Sequence, residues 1–139
     1  MSHIAKLLHT ARTETTGDRD SGASRSSDGL LDIRLSTPGS ARIGTNPEQL
    51  LAAGWSASLA RAIALAARKR KITLPAKVSI DAEVDLNLGE NGYFHCTRFN
   101  VTIPGLAGQV VKDLIDEAEE FCPYSKATRG NVEVTVTLG

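Results

Sequence analysis

From Leu50 to Ala67 the chain reads LLAAGWSASLARAIALAA, apolar on nearly every side of a helix. The segment opens on Asn46-Pro47-Glu48-Gln49. Asn46 is suited to cap the free N–H groups of a first turn, Pro47 fits the first helical position, and Gln49 completes a capping box. A helix apolar all round must be buried on most sides. One small sheet in a chain of 139 residues cannot easily cover it. At about 25 cal/mol per Å² of apolar surface, leaving one face in water costs several kcal/mol. The pattern therefore calls for a second covering surface, which a second subunit would provide. Ser56, Ser58 and Arg61 interrupt the run, and its length barely reaches that of a bilayer span. It reads as a core helix of a soluble protein and not as a membrane span. The Arg68-Lys69-Arg70-Lys71 cluster that follows reads as a solvated end complementing the negative pole of the helix.

Four stretches alternate with period two, the pattern of strands that bury one face. Leu31, Ile33 and Leu35 form one such face; Val78, Ile80, Ala82, Val84, Leu86 and Leu88 another. Phe99, Val101 and Ile103 form the third; Val132, Val134, Val136 and Leu138 the last. Residues 4–14 are expected to form a further strand, with Gly17–Gly22 as a loop between hairpin arms. Gly89-Glu90-Asn91-Gly92 reads as the turn joining the two central strands. A second helix is expected from about Gly108 to Phe121, with Val110, Val111, Leu114, Ile115, Ala118 and Phe121 as its apolar stripe. Cys122 precedes Pro123, so it should lie at or beyond that helix's end. Length and order suit one α+β domain over residues 1–139.

Acidic and basic residues balance at 16 each, which argues against a nucleic-acid partner. No leader pattern opens the chain, so a cytoplasmic location is expected. Two cysteines, Cys96 and Cys122, make no disulfide framework, and His3, His9 and His95 lack metal-ligand spacing. No metal or bound cofactor is expected. Cys96 lies on the strand face opposite Phe99, Val101 and Ile103 and reads as an inert thiol.

Two segments carry more information than their periodicity. Gly44-Thr45-Asn46-Pro47-Glu48-Gln49-Leu50 and Cys122-Pro123-Tyr124-Ser125-Lys126-Ala127-Thr128-Arg129-Gly130-Asn131 resemble the Ohr subgroup of the OsmC family. Ser27-Asp28-Gly29, Leu35-Ser36-Thr37-Pro38 and Pro104-Gly105-Leu106 match it as well, so the resemblance spans essentially the whole chain. It implies an intertwined homodimer, with antiparallel sheets wrapped around a central buried helix. It also implies a thiol peroxidase that reduces organic hydroperoxides, especially those with hydrophobic tails. In that family a peroxidatic cysteine on the central helix forms a disulfide with a resolving cysteine near the C-terminus, and a lipoyl-type dithiol from outside reduces it. Carried over, the resemblance makes Cys122 the resolving thiol, Arg19 the loop arginine beside the reactive sulfur, and Glu48 the carboxylate that holds this arginine. Asp18 stands where the family has glycine.

The main departure falls on the reactive position. The family's helix reads Gly, aromatic, small, Ala, Cys; this chain reads Gly54-Trp55-Ser56-Ala57-Ser58. A serine hydroxyl is a poor nucleophile towards peroxide oxygen and cannot become a sulfenic acid. Within a helix, Ser58 is expected to bond back to the Gly54 carbonyl. An engineered replacement and a natural loss would both leave this residue, and further departures at Trp55, Leu59 and Arg61 incline towards natural divergence. Cys122, at a helix C-terminus, suits a resolving thiol and not an attacking one, although Arg129 offsets the dipole there. As written the chain is expected to turn over little or no hydroperoxide. The alternatives are a non-catalytic binder of hydrophobic small molecules on the same scaffold and, least favoured, a purely structural stress protein. The expected partners are a second copy of the chain, an organic hydroperoxide or other hydrophobic small molecule, and a lipoyl-bearing protein, with no nucleic acid and no membrane.

Overall fold

The computed structural model describes residues 5–139, in two compact units that part between Pro47 and Glu48. In the first unit, β1 (Thr13–Thr16), β2 (Ala23–Ser26) and β3 (Asp32–Arg34) form an antiparallel sheet in that order. Thr13 faces Ser26 and Ala23 faces Arg34 across its two ladders. The β1–β2 turn closes where the Gly22 N–H donates to the Asp18 carbonyl at 2.7 Å. A Cβ on Gly22 would collide with the carbonyls of Thr16 and Asp18, so only glycine fits there.

Two expectations for this unit need correction. The strand over residues 4–14 is not found: β1 begins at Thr13, residues 5–12 lie outside any strand, and Ile4 falls outside the described residues. Leu7 and Leu8 are neighbours, and both are exposed, so no face of period two buries them. The strand around Ile33 is shorter than its alternation suggests because other partners take its end groups. The Leu31 N–H donates to Ser26 Oγ at 2.9 Å, and the Ser36 N–H donates to the Thr45 carbonyl at 2.9 Å.

The second unit carries the larger sheet. The helix α1 (Pro47–Lys69) leads into it and is followed by β4 (Ser79–Gly89) and β5 (Gly92–Thr102), a hairpin whose register runs from Ser79↔Thr102 to Gly89↔Gly92. Next come α2 (Gly108–Phe121), a short α3 (Pro123–Thr128) and β6 (Glu133–Leu138). β6 pairs with β5 in parallel, Cys96 facing Glu133 and Val101 facing Leu138, so this sheet is antiparallel at β4–β5 and parallel at its last pair. A crossover through two helices brings the chain back in the same direction.

The core sits between α1, α2 and the sheet. α1 buries Trp55, Leu59, Ala62, Ile63, Ala66 and Ala67, a stripe at helical spacing. They cluster with Phe99, Val101 and Ile103 of the β5 segment and with Val111, Leu114, Ile115 and Ala118 of α2. Along β5 the positions 97, 99 and 101 are buried while Arg98 is exposed, as a period of two requires. α1 ends in a paired closure: the Lys71 N–H donates to the Arg68 carbonyl and the Ile72 N–H to the Ala67 carbonyl. This is a Schellman motif, with Lys71 at φ 59° in the left-handed position that glycine usually takes. By length and composition α1 is also apolar enough to cross a bilayer, but here its stripe packs into the core.

Candidate functional site

Ser58 lies in the third turn of α1 and is half-buried. The back-bond expected from it to Gly54 is not formed. Ser56 makes that kind of bond instead, its Oγ donating to the Ala52 carbonyl at 2.7 Å. Both serines are one turn from a carbonyl, but only one of these bonds forms, and the Ser58 hydroxyl is not spent on the helix backbone.

Cys122 is fully buried, in the same core cluster as Trp55 and Leu59. Its backbone is extended, φ −71° and ψ 122°, as a residue before proline should be. Its N–H still donates to the Ala118 carbonyl, closing α2, and its carbonyl accepts the Lys126 N–H, opening α3. The sequence reading misses α3. Pro123 at the first helical position is the available signal. Arg129 donates from Nη2 to the Glu119 carbonyl at 2.7 Å, which places a cation at the negative end of α2.

Tyr124 joins the Cys122 segment to α1. A Cβ built on Gly54 would strike the Tyr124 hydroxyl and lie 3.1 Å from its Cζ, so α3 sits directly on the α1 backbone at Gly54. Gly54 and Ser58 are four residues apart and share a helix face. Trp55 stacks on Tyr124 with ring centroids 6.4 Å apart and meets Phe99 edge-on at 5.1 Å. Its Nε1–H is buried with no hydrogen-bond partner. The Cys122 segment is thus fastened to α1 one turn before Ser58, by aromatic contacts that the sequence alone does not indicate.

Glu48 occupies the first turn of α1, its side chain only 12% exposed, with Oε2 3.9 Å from His95 Nε2 on β5. The sequence reading gives His95 no role; a histidine on the apolar face of β5 is the signal that could have marked it. Arg19 belongs to the first unit and is half-buried in the β1–β2 turn. Asp18 shapes this turn: its Oδ1 accepts the Asp20 N–H at 3.0 Å. Thr37 Oγ1 in turn donates to Asp20 Oδ1 at 2.8 Å. Cys96 is half-buried on β5, on the face opposite Phe99 and Val101 as expected.

In the second unit a long apolar helix lies on a sheet, with a buried cysteine segment seated against it. A sequence profile described as "OsmC-like protein" matches residues 37–137. The crystal structure of the organic hydroperoxide resistance protein OhrB of Bacillus subtilis superposes with a TM-score of 0.89 at 37% identity, covering 96% of this chain and 100% of that one. A structure from Legionella pneumophila, described as an organic hydroperoxide resistance protein OsmC, gives 0.89 at 38% identity over 96% of this chain and 99% of its own. The organic hydroperoxide resistance protein of Xanthomonas axonopodis pv. citri (strain 306) is 42% identical over 142 residues, 99% of each chain. The chain belongs to the OsmC/Ohr family, in its organic hydroperoxide resistance subgroup.

Proposed function

We propose that this scaffold serves thiol-dependent reduction of organic hydroperoxides of the fatty-acid type to alcohols, in defence against oxidative stress, and that this chain lacks the attacking sulfur because Ser58 holds its place. The supporting observation is the seating of the Cys122 segment on α1 through Tyr124 and Gly54, one turn before Ser58. In this reading a thiolate at residue 58 attacks the distal peroxide oxygen. The O–O bond breaks, the alcohol leaves with a proton, and the sulfur is left as a sulfenic acid. The Cys122 thiol displaces water from it, forming a 58–122 disulfide, and an external lipoyl-type dithiol reduces that disulfide by exchange. Arg19 lowers the pKa of the attacking thiol, and Glu48 holds the arginine. The working form is a homodimer in the cytoplasm. No bound cofactor takes part.

Ser58 itself favours a second reading: a binder of hydrophobic small molecules that turns nothing over. One experiment separates the two. Hydroperoxide consumption with a lipoyl dithiol is measured for the chain and for Ser58→Cys, with non-reducing mass analysis for the 58–122 bridge. The chain itself should be inactive, and Ser58→Cys should consume cumene and fatty-acid hydroperoxides and form the bridge. Activity in the Ser58 chain would make Cys122 or Cys96 the nucleophile and overturn the assignment. A folded but inactive Ser58→Cys variant would favour the binding reading.

A further inference from the structure

On β5 the residues at 97, 99 and 101 are buried, and His95 falls on this same face by the alternation of the strand. Its ring is fixed from one side. Nδ1 lies 2.9 Å from the Asp85 carbonyl, which can only accept, so Nδ1 carries a proton. In the neutral ring Nε2 is then a bare lone pair, and it faces the Glu48 carboxylate at 3.9 Å. These two groups repel each other when the ring is neutral and attract when it is protonated. The nearby charged side chains of the sheet do not intervene: Arg98 holds Asp85 through Nη1 at 2.7 Å and Glu83 through Nε at 3.2 Å, on the opposite face from His95. Across the ladder His95 faces Leu86, which carries no charge.

We propose that His95 is a positioning residue for Glu48: its protonated ring draws the carboxylate towards β5, and its neutral ring releases it. The consequence for the sulfur rests on the reading above, in which Glu48 steadies the arginine that activates residue 58. A carboxylate drawn to His95 steadies that arginine less, so a thiol at position 58 should be less reactive at acidic pH than its own titration requires.

The test uses the full chain carrying Ser58→Cys, with the rate of iodoacetamide alkylation at position 58 as readout, because that rate reports the thiolate without needing peroxidase turnover. Cys122 and Cys96 are followed separately by peptide mass analysis. His95→Gln should raise the alkylation rate at position 58 at least about threefold at pH 6, with the ratio falling towards one by pH 8.5. In a Glu48→Gln background the same replacement should have no effect, because the two residues act as one unit. A change that is equal at both pH values, is of opposite sign, or persists in the Glu48→Gln background overturns the proposal. Nitrogen-15 spectra of the His95 ring in the Ser58 chain give a second check that needs no variant at position 95: the neutral ring should carry its proton on Nδ1, and a proton on Nε2 overturns the proposal. If this coupling is found while Ser58→Cys reduces no hydroperoxide, the peroxidase reading fails and the role of His95 stands.

Discussion

Gly54 is where a single atom sets the relation between two elements. In a helix interior, alanine is ordinarily favoured over glycine by roughly 1 kcal/mol. Here the added methyl would meet the Tyr124 hydroxyl, and that ring is held by stacking on Trp55. The steric term should win, at about 1–3 kcal/mol of net destabilisation. Gly54→Ala is therefore expected to lower the urea midpoint, and Tyr124→Phe in the same chain should recover part of the loss by removing the nearest atom. An unchanged midpoint for Gly54→Ala would mean that α3 shifts freely. Glu119 gives a second test at this scale. Burial, then the neighbouring Asp116 charge, holds its carboxyl above the usual carboxylate range, while Arg129 works the other way. A carboxyl raised in the folded state costs nothing while both states are protonated; the cost appears as pH rises through the folded value. Glu119→Gln should thus raise the melting temperature at pH 7, with the gain vanishing below about pH 4. A gain that persists there would assign the effect to packing.

The closure of α1 puts a non-glycine residue where the backbone prefers none. Lys71 sits at φ 59° to complete the Schellman motif, with the Ile72 N–H reaching the Ala67 carbonyl at 2.8 Å. A side chain in the left-handed region costs on the order of 1 kcal/mol. Lys71→Gly should stabilise the fold by about that amount in chemical denaturation, and a destabilised variant would mean that the lysine side chain matters more than its backbone. Two long elements follow their patterns: α2 spans Gly108–Phe121 as its stripe predicts, and β4 spans Ser79–Gly89 within one residue of the alternation. Short elements do not. α3 is six residues, too brief for periodicity to show, and β3 is three, trimmed by bonds to Ser26 and Thr45 that lie outside its own segment.

For the whole molecule, the burial of α1 carries the main prediction. Its covered stripe is Trp55, Leu59, Ala62, Ile63, Ala66 and Ala67, while Ala53 and Ala57, one turn apart, remain exposed on the other side. Light scattering should find a dimer at micromolar concentration, and Ala57→Arg should dissociate it, because a buried unpaired charge at a helix contact costs several kcal/mol. A stable, folded monomer of the parent chain would end the dimer reading.

The sequence by itself determined the family, the two long helices and the central hairpin, because these rest on residue identity and on local periodicity. It also placed Cys122 beyond the end of α2, since the residue before a proline leaves the helix wherever the rest of the chain goes. Only the tertiary structure decided that β6 returns parallel to β5, that Tyr124 seats α3 on Gly54, and that His95 faces Glu48. These are contacts between residues about 40 to 70 positions apart. Their existence depends on how long elements pack, and a pattern of period two or 3.6 records which side of each element is apolar without recording what will lie against it.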